Sequence, residues 1–113
     1  MASKQGQQYR HLPAFILLIL AEGENHGGYI LNALKERLQN FSCDSAGVYR
    51  TLNQLETEGA VIANWDTSKP GPAKKIYKIT DIGYEKLSYF KEDIESRVIN
   101  LNYFLEQLKK MGR

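Results

Sequence analysis

Apolar residues recur along this chain first at helical and then at strand spacing, and the changes of period predict its elements. Pro13 suits the first turn of a helix that runs through an unbroken apolar stretch, Ala14 to Ala21, and stops at Gly23. Because apolar residues occupy all sides of it, this helix is expected to be fully buried. A second helix starts near Gly27 or Gly28, with Ile30, Leu31, Leu34 and Leu38 on the dry face and Lys35, Glu36 and Arg37 on the wet one. After a short turn, Asp44 is a good N-cap for a third helix over about Ser45 to Glu58, buried along Val48, Leu52 and Leu55 and ended by Gly59.

The period then shortens. Ala60 to Trp65 and Lys75 to Ile79 read as two strands, and the run from Asp66 to Ala73 between them is rich in turn formers. They make a hairpin with a long basic tip. Thr80 caps a last helix with Gly83 in its first turns. From about Tyr84 to Met111, Leu87, Phe90, Ile94, Val98, Leu101, Leu105 and Leu108 fall at spacings of 3, 4, 4, 3, 4 and 3. That is a heptad-like seam with one stutter. Ile99, Tyr103 and Phe104 widen it beyond what a small three-helix body can cover, so Ile94, Val98, Leu101, Leu105 and Leu108 are expected to meet a second copy of the chain.

The predicted class is mainly α with a small β-hairpin, a winged helix-turn-helix with a long C-terminal dimerisation helix. The division is a flexible tail at 1–11, a winged helix-turn-helix domain at 12–82 and the dimerisation helix at 83–113. A length of 113 residues suits one small domain with an appended element.

Composition narrows the function. The single cysteine, Cys43, excludes an intrachain disulfide and suits a reducing compartment, so a cytoplasmic location is expected. The first apolar stretch is too short to span a bilayer, and Glu22-Gly23-Glu24-Asn25 after it offers no small-x-small cleavage pattern. No P-loop, dinucleotide-binding glycine pattern or His-Glu-x-x-His motif occurs, so no enzymatic role is expected. His11, His26 and Cys43 make a poor metal set, and neither a metal nor a cofactor is expected. The histidines read as structural or solvated. Cys43 reads as a small half-buried residue, with a redox role disfavoured because no resolving cysteine accompanies it.

The net charge of +2 does not announce a nucleic-acid binder, but the positive charge is organised. Ser45, Tyr49, Arg50 and Asn53 lie on the face of the third helix opposite Val48 and Leu52. A recognition helix presents donors near its N-terminus in this way. Glu56 and Glu58 stand at its far end. Lys69, Lys74, Lys75 and Lys78 cluster on the hairpin, opposed in the sequence only by Asp66. Ser45, Tyr49, Arg50, Asn53, Lys69, Lys74 and Lys75 are therefore the candidate contacts to a double-stranded DNA operator. A protein-interaction module using the same surfaces is the competing reading, and would show an apolar patch there instead.

With these residues in place, the sequence resembles the PadR family of bacterial winged-helix regulators. The resemblance rests on Ile19-Leu20-Ala21-Glu22-Gly23 with His26-Gly27, on Val48-Tyr49-Arg50-Thr51-Leu52 with Leu55-Glu56-Thr57-Glu58-Gly59, on Trp65-Asp66, and on Gly71 to Thr80 with Gly83. The Trp65-Asp66-Thr67-Ser68 and Gly71-Pro72-Ala73-Lys74 runs are similar to the poly-β-hydroxybutyrate-responsive repressor branch. The resemblance implies a homodimer held by the C-terminal helix that represses from an inverted-repeat operator. It further implies that Tyr49 and its neighbours meet DNA while wing lysines meet phosphates. Family members respond to different small molecules or to none evident, so an effector is unidentified; Phe90, Tyr103, Phe104 and Trp65 are candidates for an aromatic site, with packing the simpler role. One departure stands out. The family's His-Gly-Tyr opening is here His26-Gly27-Gly28-Tyr29, which rotates the tyrosine by about 100° around the helix if no other change compensates.

Overall fold

The structure, a computed structural model, describes residues 11–113, so the expected flexible tail lies almost wholly outside the described residues. The elements follow in the order α1 (Leu12–Glu22), β1 (Asn25–His26), α2 (Gly27–Arg37), α3 (Ser45–Thr57), β2 (Val61–Asp66), β3 (Lys74–Ile79) and α4 (Asp81–Lys110). Helices α1, α2 and α3 enclose the core with the sheet at one side, and α4 leaves the body as a rod.

Local chemistry fixes the boundaries. The Asp44 carboxylate accepts the Gly47 N–H at 2.9 Å and starts α3, while Gly59 at φ 79° turns the chain out of it, a conformation costly to any residue with a Cβ. Thr80 accepts the Gly83 N–H to open α4 and donates its hydroxyl to the Gly59 carbonyl at 2.6 Å. One residue therefore ties the end of α3 to the start of α4.

Ile16, Leu17, Ile30, Leu34, Val48, Leu52 and Tyr77 fill the centre, and Leu87 and Phe90 of α4 lean on it. Full burial of α1 does not hold: Leu18 is 52% exposed and Phe15 half-buried. A 60-odd-residue body has too few elements to surround a helix, so one side of α1 meets solvent. There Phe15, Leu18 and Ile19 edge a shallow apolar groove with Ala33 and Leu34 of α2 and Leu38 just past its end.

The hairpin is also more than a hairpin. β1 pairs with β3 through Asn25↔Tyr77 and His26↔Ile76, giving a three-stranded antiparallel sheet in the order β1-β3-β2. Two residues carry no alternation to read, so only the tertiary pairing defines this strand. Cys43 is buried rather than half-buried, and burial raises its thiol pKa, which suits an inert packing residue.

The long helix has two halves. Midway along it, His11 and Arg97 both hold the Asp93 carboxylate, each at 2.9 Å, and His11 sets its ring edge-on to Phe90. Hydrogen bonds from Arg97 and then His11 keep Asp93 below the usual carboxylate range. Beyond this clasp, Val98, Ile99, Leu101, Tyr103, Phe104 and Leu105 are all exposed. Of the expected dimer seam, Ile94 and Leu108 are half-buried and Val98, Leu101 and Leu105 are open.

Candidate nucleic-acid interface

The third helix must bury Val48, Leu52 and Leu55 to pack at all, and they are 0–2% exposed. Residues one or two positions on are thereby rotated outward, so Tyr49, Arg50 and Asn53 are exposed, as is Ser45 at the helix start. The exposed face is nevertheless divided. Tyr49 and Asn53 line a cleft of about 640 Å³ between α3, the N-terminus of α2 and the wing formed by β2 and β3. Ser45 and Arg50 do not line it; the Arg50 guanidinium lies over the start of α3, towards Gly47.

Tyr49 is seated by a neighbour the sequence did not single out for this. A Cβ on Gly27 would collide with the Tyr49 ring, so the ring rests on the bare backbone that opens α2. Next to it His26 caps α2, its Nδ1 accepting the Tyr29 N–H at 3.2 Å. Partial burial, then Lys74 and Lys69, lower the His26 pKa, which keeps the ring neutral and Nδ1 free to accept. His26 is thus a capping group in the cleft wall. Tyr29, one position later than in the family pattern, is partly exposed and absent from the cleft lining.

On the wing, Lys74 and Lys75 enter the cleft wall while Lys69 sits in the tip between the strands. Lys75 is committed. Its Nζ donates to Glu56 of α3 at 3.1 Å and lies 5.4 Å from the Tyr77 ring centre, and the hydrogen bond to Glu56 raises its pKa. Asp66, the expected counter-charge, accepts from the Ser68 hydroxyl and backbone, and these bonds, with the nearby charges of Lys69 and Lys74, lower its pKa. Glu56 opposes Lys75 directly and braces the wing against α3. A pairing across 19 residues left no local signal in the sequence. Glu58 turns the other way, to Lys86 of α4 at 3.0 Å.

A helix seated on a helix pair, a basic hairpin braced beside it and a cleft between the two define a winged helix-turn-helix protein. The pattern of the transcriptional regulator PadR-like family matches residues 16–89, and the chain belongs to that family. This is a family of regulators rather than enzymes. An uncharacterized protein of Lysinibacillus sphaericus is 30% identical over 101 residues, 88% of this chain and 92% of its own length. Among solved structures, a PadR-like transcriptional regulator from Bacillus cereus is 27% identical with a TM-score of 0.74, covering 88% of this chain and 96% of that one. Bacillus subtilis PadR in complex with operator DNA is 31% identical with a TM-score of 0.66, covering 73% of this chain and 47% of that one. Among the described residues no helix is long and apolar enough to cross a membrane.

Proposed function

We propose that the protein is a cytoplasmic homodimeric repressor that binds an inverted-repeat operator, with α3 in the major groove and the wing on the flanking backbone. The observation that carries this reading is the cleft in which Tyr49 and Asn53 of α3 face Lys74 of the wing, all open to solvent. The Bacillus subtilis relative was solved on operator DNA, which supports the same partner for this chain. In this arrangement Tyr49 donates its hydroxyl to a phosphate and Lys69 and Lys74 neutralise others, which positions the helix without reading bases. Ser45 lies at the N-terminal turn, where phosphate is met. Arg50 reads a base edge or braces a phosphate. Ile94, Val98, Leu101, Leu105 and Leu108 pair two copies so that two recognition helices address the two half-sites. An effector, if one acts, is a small molecule of unidentified chemistry.

Footprinting on the DNA that flanks its own gene would locate the operator. Titrations on that operator and on scrambled duplex then separate the roles. Arg50→Ala should cost about 1–3 kcal/mol per half-site and relax discrimination if it reads a base. Tyr49→Phe should weaken both duplexes together. If both variants stay folded by circular dichroism and bind like wild type, α3 is not the reading head, and the protein-interaction reading takes its place.

A further inference from the structure

Trp65 is the single tryptophan of the chain and stands near the outer end of β2. Along this strand Val61, Ala63 and Trp65 share one face, because successive side chains alternate. Val61 is buried and Ala63 half-buried, yet Trp65 is 66% exposed. The strand has run past the body by this point, and the indole lines the cleft opposite Tyr49 and Asn53. Its cross-strand neighbour is Lys75, whose ammonium is drawn away to Glu56 and lies by Tyr77. The indole face is left open.

We propose that Trp65 packs its indole face on a deoxyribose of the duplex backbone, giving the wing an uncharged anchor between its lysine–phosphate contacts. This rests on the DNA-binding reading and extends it to a residue that charge alone does not pick out. The surroundings decide the occupant. Lys74 lines the same cleft as the indole and Lys69 stands at the wing tip beyond it, so whatever covers the indole must combine negative charge with apolar surface. A nucleic-acid backbone alternates phosphate and sugar and meets both demands. The distal part of α4 from a second copy would not, because its end carries Lys109, Lys110 and Arg113, of the same sign as the wing. Burying an aromatic face adds affinity through the apolar area removed from water and releases no counterions, so its signature differs from that of a lysine.

Because no other tryptophan exists, emission excited at the red edge of the indole band, where the tyrosines barely absorb, reports on this one side chain. The test follows indole fluorescence and the anisotropy of a fluorescein-labelled duplex from the region upstream of its own gene in the same titration. Emission should change in step with anisotropy. Trp65→Ala should weaken binding about tenfold with an unchanged slope of log affinity against log salt, and Trp65→Phe should restore most of the loss. Anisotropy that rises while emission stays constant overturns the proposal and leaves DNA binding intact. An emission change that follows protein concentration without DNA assigns the indole to a second copy, and also overturns it. A shallower salt slope in Trp65→Ala would mean that the indole merely positions lysines. No anisotropy rise for wild type on any duplex would remove the DNA-binding reading itself.

Discussion

The body of the protein and the distal half of α4 are built from similar proportions of apolar residue, and they treat them in opposite ways. In the body, residues 12–79, the large apolar side chains of α1, α2 and α3 converge on one core, and nearby charges close on each other: Arg37 with Glu22, Lys75 with Glu56. Past the Asp93 clasp, α4 carries Ile99, Leu101, Tyr103, Phe104 and Leu105 at 60–69% exposure. The described residues reach 60 Å along the longest axis against 27 and 24 Å across, because none of them folds back to cover this rod. An apolar stripe of this length left open on a helix marks a surface that another molecule completes. The contrast separates what folding within one chain satisfies from what it leaves to assembly.

The strongest way to break the contrast is to charge the open half. Leu101→Glu with Leu105→Glu should leave the body folded and convert a dimer to a monomer in sedimentation. Affinity for a two-half-site operator should fall by about 10²–10⁴-fold through lost avidity. A wild-type protein that sediments as a monomer at micromolar concentration would remove the assembly half of the comparison.

The near half of α4 should respond differently. Gly83 lies so close to the Ala60 carbonyl and to Ile79 that a Cβ would collide with both. Gly83→Ala should therefore destabilise the protein by about 1–3 kcal/mol despite the better helix propensity of alanine. Urea melts at one fixed protomer concentration measure this, and an unchanged midpoint would mean that α4 joins the body more loosely than its packing indicates.

Internal pairing of charge in the body makes a finer prediction about the wing. Lys74 faces Asp66 across the strands but is not tied by a hydrogen bond as Lys75 is, so Lys74→Ala should make the salt slope shallower by up to about 0.9 per protomer. Lys75→Ala should change it less, because Glu56 already neutralises that ammonium. Glu56→Gln should free Lys75 and steepen the slope. Equal effects of Lys74 and Lys75 would show that the Glu56 brace opens on DNA.

The smallest expected effect concerns the His26 cap. Its pKa is lowered in the folded protein, so an unfolded chain takes up the proton first as the pH falls. Its contribution is complete above about pH 6.5 and is lost as the pH drops below that towards the lowered folded value. His26→Asn keeps a capping acceptor without a titrating group and should flatten this part of the stability–pH curve. Thermal melts between neutral pH and about pH 5 test it.

The helices were legible because each announces itself locally. The Pro13 start, the Asp44 and Thr80 caps, the Gly59 stop and the 3.6-residue stripe of Val48, Leu52 and Leu55 are contained within a few residues each. The same stripe turns Tyr49, Arg50 and Asn53 outward without further information. Residues separated along the chain behaved otherwise. The β1–β3 pairing, the seat of Tyr49 on Gly27, the His11–Asp93 clasp across 82 positions and the Glu56–Lys75 brace have no local pattern. The sequence by itself determined the period, the caps and the sign of the charge on each face, because those depend on backbone geometry and neighbours within one turn. Only the tertiary structure decided which lysine is already paired, which side of α1 stays wet and that Tyr49 and Trp65 face one cleft. Those depend on how rigid elements pack once their apolar faces meet, and a one-dimensional pattern does not carry the angle at which they do.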